Sequence, residues 1–214
     1  MKFDEGWVKF FAQEIGKDYF SKTAGSIQVL RNEGTSIYPP EGMIFEAFKL
    51  TPFESVKVVI VGLDPYSEEG QADGLAFSVP TKVPIPPPLQ NIYKELSNTF
   101  GIPVPKDGNL SGWASSGILL LNSVLTVEKG RPKAHKGRGW EELTDNCIKY
   151  ISDNKDRVIF CLWGAEAQSK AILIDKKKHM ILKTSHPGPL SVNQGFAGCG
   201  HFVHINEATK LWEK

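Results

Sequence analysis

The stretch KVVIVGLDPYSEEGQADGLAFSV, residues 57–79, decides the fold. Val58, Val59, Ile60 and Val61 form an unbroken β-branched run that stops at Gly62. A run without alternation suits a strand buried on both faces, in the middle of a parallel sheet. Asp64, Pro65 and Tyr66 follow directly. In open α/β sheets ligands bind beyond the carboxyl ends of the strands, so Asp64 stands where chemistry is usually done. Glu68, Glu69 and Gly70 read as an exposed turn, and Gly74–Val79 as a second short apolar segment that includes Phe77. On this stretch alone Asp64 is either a functional carboxylate or the cap of a turn.

Outward from that strand the same grammar repeats. Gly117–Leu121 is a second apolar run ending at Asn122, and Val158–Leu162 a third, followed by Trp163 and Gly164. Met180–Leu182 is the fourth, followed by Thr184, Ser185 and His186. Between them helical spacing occurs at Leu89–Phe100 and Trp140–Ile151, and a helix is expected from about Ala165. Residues 5–32 carry Trp7, Phe10, Phe11 and Ile15 at helical intervals, and Ile44–Phe48 resumes that pattern after Tyr38, Pro39 and Pro40. The proline-rich Thr81–Pro88 lacks the free N–H groups of a strand or helix and reads as a stiff loop. Alternating strands and helices imply an α/β fold, a three-layer sandwich with a mostly parallel four-stranded sheet flanked by helices. With no repeat or linker, residues 1–214 read as one domain.

Composition excludes several classes. With 41% hydrophobic and 23% charged residues the chain resembles an ordinary globular protein. No apolar run approaches the ~20 residues that cross a bilayer, and MKFDEGWVKFF does not read as a secretory signal. A cytoplasmic location is expected. Cys147, Cys161 and Cys199 are too few and too scattered for a disulfide framework, and no Cys or His pair has zinc-ligand spacing. Neither metal nor cofactor is expected. A net charge of +1 provides no global attraction to a polyanion, so a nucleic-acid partner would be held by local basic loops and backbone amides. Lys133, Lys136 and Arg138 form one candidate loop; Lys176, Lys177 and Lys178 form another, more in keeping with a solvated face.

Asp64, Asn122 and His186 each follow an apolar strand at its carboxyl end. A parallel sheet presents all those ends on one side, so the three side chains are expected to share a cleft.

The segments GLDPYSEEGQADGLAFSV (62–79), PPPLQNIYKEL (86–96), GWASSGILLLNSVLTV (112–127), HKGRGWEELTD (135–145), WGAEAQ (163–168) and HPGPLSVNQGFAGCGHF (186–202) occur in an order that resembles the family 1 uracil-DNA glycosylases. The resemblance runs from about Tyr38 to near the C-terminus. It implies hydrolysis of the N-glycosidic bond of deoxyuridine in single- or double-stranded DNA by a monomer. As in other glycoside cleavage, the transition state is oxocarbenium-like. Asp64 is then the carboxylate that stabilises the cation and orients water, and His186 the donor to uracil O2 as the base leaves. Asn122 reads the base edge, Phe77 stacks on the base, Tyr66 fills the space a 5-methyl group needs, and Leu63 borders the base. Leu190 is the apolar side chain that enters the duplex where the nucleotide leaves.

The departures are as specific as the matches. The family has Gln at the position of Leu63 and His at the positions of Ser67 and Asp73 in this chain. Ser67 stands where the family's side chain lies near the water and a phosphate. The family holds DNA phosphates with loop serines. The matching places here, next to Pro87, are Pro88, Ala165 and Gly188, with Ser191 retained; Gly200 replaces an Arg. Because phosphate contacts dominate affinity and its salt dependence, weaker and less salt-sensitive duplex binding than is typical of the family is expected. Two alternatives follow: a glycosylase with altered base or strand preference, and a low-activity DNA-binding or scaffold protein. Phosphoryl transfer with Asp64 as nucleophile fits less well, because Pro65 and Tyr66 leave no second carboxylate in the motif to hold Mg²⁺.

Overall fold

The computed structural model describes residues 3–212. Helices α1 (Glu5–Glu14) and α2 (Asp18–Asn32) account for the first amphipathic stretch. Trp7, Phe10 and Phe11 turn to one side of α1 and are buried. Trp7 meets Phe48 and Phe53 edge-on at 5.0 and 5.2 Å, a geometry the ring quadrupoles favour. Its indole N–H donates to the Thr51 carbonyl at 2.7 Å, which spares the buried ring an unsatisfied donor. After α2 come the two-residue strand β1 (Ile37–Tyr38) and the short helix α3 (Glu46–Leu50).

Strand β2 (Val58–Gly62) is buried along its whole length, as its unbroken apolar run requires. Helices α4 (Pro87–Phe100) and α5 (Ser111–Ser115) lead to β3 (Ile118–Asn122), and the tiny β4 (Val127–Glu128) pairs antiparallel with β1. Next come α6 (Trp140–Asn154), β5 (Ile159–Trp163), α7 (Ala165–Gln168), β6 (Met180–Thr184) and α8 (His201–Thr209). The central sheet has the order β3-β2-β5-β6, and every neighbouring pair is parallel. Helices flank it: α8 packs on β2 and β5 and against α4, while α6 joins α1 and α2. From β2 the chain steps outward to β3, then crosses back past β2 to β5. The reversal opens a crevice between the carboxyl ends of β2 and β5, where such sheets bind ligands.

The expected four-stranded α/β sandwich is present, with local differences. The sheet is wholly parallel. Pro87 and Pro88 are not loop residues but the first turn of α4, where a missing N–H costs nothing because that turn's donors have no helical partner. The apolar segment Gly74–Val79 forms no strand of its own but is tied to the sheet by Ala76, whose N–H donates to the Leu120 carbonyl on the free edge of β3 at 3.1 Å. β6 is the other edge and is only half-buried, hence its mixed residues Met180 and Lys183. In the basic run, Lys178 reaches the carbonyls of Ser152 and Asp153 at 3.1 Å each and ties down the last turn of α6, while Lys176 and Lys177 are exposed.

Candidate active site

A cleft of about 370 Å³ opens at the crevice between β2 and β5. Its walls are the end of β2 with Leu63, the end of β5 with Gly164 and Ala165, and Lys133, Glu166 and His186. Beyond the strand ends the chain segments stay zipped: Ser123 N–H donates to the Gly62 carbonyl and Val124 N–H to that of Leu63, both at 2.9 Å.

Asp64 lies two residues past β2 and is half-buried. Its Oδ2 accepts the main-chain N–H of Lys133 at 2.6 Å, across 69 positions of sequence, so it does not cap a local turn. Burial pushes its carboxyl above the ordinary range; the Lys133 N–H and ammonium pull it back, and the nearby Glu166 charge adds to the rise.

Asn122 ends β3 directly opposite Gly62. A side chain at Gly62 would put its Cβ 2.3 Å from Asn122 Oδ1, so the glycine makes the room the amide occupies. Asn122 is only 6% exposed, yet its amide makes no hydrogen bond to any described residue. The residue is mostly enclosed but its amide atoms still reach solvent, so both functions are available to a ligand edge that carries a donor and an acceptor.

Phe77 is held in a left-handed conformation, φ 67°, which is uncommon for a bulky residue and marks local strain. Three anchors impose it. Asp73 accepts the Ser78 hydroxyl at 2.5 Å and the Leu75 N–H at 3.1 Å, the Ser78 oxygen accepts the Leu110 N–H at 3.0 Å, and Ala76 is pinned to β3. The Phe77 ring then lies 5.7 Å from Trp163 and 5.9 Å from His186. Tyr66 donates its hydroxyl to the Phe77 carbonyl at 3.2 Å, and burial with the Asp73 charge raises its phenol far above the ordinary value. Asp73, a departure in the sequence, is thus a structural anchor beneath Phe77; burial pushes its carboxyl up.

His186 follows β6, the far edge strand, and still faces Phe77 from β2's loop. Gly188 N–H donates to its Nδ1 at 2.9 Å, so a neutral ring carries its proton on Nε2, which has no partner among the described residues. Burial lowers its basicity and the Lys133 charge lowers it further. The loop is braced: the Ser191 hydroxyl donates to the His186 carbonyl at 2.8 Å, and Asn91 of α4 donates to that of Pro187 at 2.7 Å. Leu190 projects from its tip, 95% exposed.

Of the remaining sequence candidates Ala165 lines this cleft, and the others are not part of its lining. Ser67 is buried, and its carbonyl accepts Gly130 N–H at 2.9 Å. Pro87 is exposed and Pro88 half-exposed on α4, Ala165 is exposed on the cleft wall, and Gly188 is buried under His186. A Cβ at Gly188 would sit 2.9 Å from His186 Nδ1, which makes glycine there a matter of ring placement. Gly200 takes φ 69° ahead of α8, a conformation that suits glycine better than an arginine. Glu166 and Gly164 are among the cleft residues that the sequence reading of the site missed. Glu166 was hidden inside a motif taken as a unit, whereas Gly164, a lone glycine after an apolar run, carried the signal of a close backbone approach.

Residues 48–210 match the Uracil DNA glycosylase superfamily. A uracil-DNA glycosylase of Psychromonas ingrahamii is 50% identical over 202 residues, 94% of either chain. One from Borreliella burgdorferi is 47% identical, covering 100% of this chain and 96% of its own. Among solved structures, the mimivirus uracil-DNA glycosylase superposes with a TM-score of 0.91 at 33% identity, over 99% of this chain and 85% of the other. By sequence along nearly its whole length and by fold, the chain belongs to the uracil DNA glycosylase superfamily.

Proposed function

We propose that this chain is a family 1 uracil-DNA glycosylase that flips uracil out of single- or double-stranded DNA and hydrolyses its N-glycosidic bond. The observation that carries this reading is that a half-buried carboxylate, a mostly enclosed amide without a partner among the described residues and an imidazole with a free Nε2 all stand at the carboxyl ends of strands on one side of the parallel sheet. Asn122 offers the uracil edge a donor and an acceptor; cytosine presents a different pattern and leaves the buried amide mispaired. Phe77 stacks on the base and Tyr66 closes the space beside it. As the C1′–N1 bond breaks, its electron pair leaves with uracil, and a neutral His186 donates from Nε2 to the developing O2 anion. Asp64 faces the cationic sugar and orients the water whose oxygen bonds to C1′, and takes up the proton that the water releases, so that the products are the abasic sugar hydroxyl and the uracil anion. Water is the sole co-reactant, so the scheme calls for no cofactor and no metal. The enzyme acts as a single-domain monomer in the cytoplasm, with Leu190 entering the duplex as the nucleotide leaves.

The absence of hydroxyls at Pro88, Ala165 and Gly188 favours a second reading, a weakly active DNA-binding protein. One experiment separates the two. Oligonucleotides with uracil, thymine or 5-substituted uracil, single- and double-stranded, are incubated with the protein and scored for abasic sites. Release of uracil is expected, with Asp64→Asn and His186→Leu each slower by roughly 10²–10³-fold. Release of no base from any of them overturns the glycosylase.

A further inference from the structure

The basic loop conspicuous in the sequence has an internal occupant. Glu166, in the first turn of α7, accepts the Lys136 ammonium at 2.7 Å and the Lys133 ammonium at 3.3 Å. All three side chains are open to water, at 51%, 54% and 42% exposure for Lys136, Lys133 and Glu166. Lys133 and Glu166 also line the cleft beside Ala165 and His186. One anionic group therefore bridges two ammonium groups at the rim, next to a position where the resemblance implies a phosphate-holding serine and this chain has none.

We infer that Lys133 and Lys136 are the phosphodiester grip of this protein, that Glu166 occupies the grip in the unbound state, and that a phosphate of the uracil-bearing strand displaces it. This rests on the uracil-excision reading. A phosphodiester, like a carboxylate, is a monoanion whose oxygens accept from ammonium groups. Solvent-exposed ion pairs are weak, so the exchange asks little. The Lys133 main chain is fixed separately through its N–H on Asp64, so its side chain can change partner while that contact persists. Glu166 is the carboxylate hydrogen-bonded to both ammonium groups, while Glu141, which accepts Gly137 N–H at 2.7 Å, acts on Lys136 through its charge alone and Asp145 pairs with Lys170 at 2.6 Å. Two lysines thereby take over work assigned elsewhere to hydroxyls, and the salt dependence expected to be slight regains two charges.

The test measures binding of the full chain to a single-stranded oligonucleotide carrying one 2′-fluoro-2′-deoxyuridine, by fluorescence anisotropy across a potassium chloride series. The fluorine disfavours the oxocarbenium ion and keeps the bond intact. Lys133→Ala and Lys136→Ala are each expected to reduce the log–log salt slope by about 0.7, with the affinity difference vanishing at high salt, which a folding defect would not do. Glu166→Gln is expected to tighten binding about two- to tenfold at low salt. Unchanged slopes overturn the grip; weaker binding by Glu166→Gln, the mark of a mere brace, overturns the occupant. Excision of uracil by the wild type, scored alongside, separates these results from failure of the glycosylase reading.

Discussion

The main-chain N–H of Gly188 donates to Nδ1 of His186 at 2.9 Å, and this one contact decides which end of the imidazole can act. With Nδ1 used as an acceptor, the neutral ring must carry its proton on Nε2. Burial and the Lys133 ammonium both resist a second proton. The histidine is thus prepared as a neutral donor without needing to be charged.

The pH profile follows from two opposite shifts. His186 must be neutral, and its pKa lies below its ordinary 6.5, so its protonation cannot halve the rate at that pH. Asp64 must be ionised, and its pKa lies above 3.8, so activity falls as pH descends through that raised value. The His186 limb of the single-turnover excision rate should have its midpoint below pH 6.5, and the Asp64 limb its midpoint above pH 3.8. His186→Leu should lower the plateau yet retain the Asp64 limb. A half-loss at pH 6.5 or above in the wild type that disappears in His186→Leu would contradict the neutral His186.

Tyr66, proposed to close the space beside the base, also ties the Phe77 carbonyl. Tyr66→Ala should open room for a methyl group and release thymine from a thymine-containing oligonucleotide, read as alkali-labile sites. Uracil excision should slow as well, because Phe77 loses one anchor. An alanine variant that still refuses thymine would mean that another side chain excludes the methyl group.

The fold was legible because buried parallel strands advertise themselves. Val58–Val61 and Ile118–Leu121 have no polar residue to misplace, and their length leaves few alternatives to a strand. Strand ends were less legible: β6 runs on through Lys183 and Thr184 because an edge strand tolerates polar residues on its open side. Pro87 and Pro88 misled because a missing N–H excludes a helix interior but not a first turn. At the site, position beyond a strand drew attention to Asp64, Asn122 and His186, since topology alone gathers such residues. Contacts between distant loops left no trace in the pattern. Nothing in the sequence says that Lys133 will find Asp64, that Glu166 will find two lysines, or that Asp73 will hold up Phe77.

Asp73 should prove structural. Asp73→Ala strands the Leu75 N–H and the Ser78 hydroxyl and is expected to cost about 1–3 kcal/mol of stability. Asp73→Asn keeps an acceptor for Leu75 and should cost less. The pH dependence has a definite sign. Because the folded pKa is raised above 3.8, the contribution of the wild-type carboxyl is full below that value and is lost as pH rises through the raised pKa. The advantage of wild type over Asp73→Asn in urea denaturation should therefore be larger near pH 4 than at neutral pH. An advantage that grows toward neutral pH would show that the buried carboxylate is better stabilised than its surroundings suggest.

Gly164 should be a glycine whose substitution is felt at His186. Its φ of 94° and ψ of 163° fall in a region essentially reserved for glycine, where another residue costs about 1–3 kcal/mol. A Cβ there would also lie 3.0 Å from the Cβ of His186, so relief of the contact must move the histidine. Its N–H, donated to the Thr184 carbonyl at 2.8 Å, blocks the turn from swinging away. Gly164→Ala is therefore expected to lower the urea midpoint with an unchanged m-value and to reduce kcat more than it raises KM. Gly112→Ala is the control: it lies in α5 with open space around its Cβ position, and alanine there should be neutral or stabilising by up to about 1 kcal/mol. If Gly164→Ala keeps full kcat, His186 can be displaced without penalty and is not the donor that drives departure of the base.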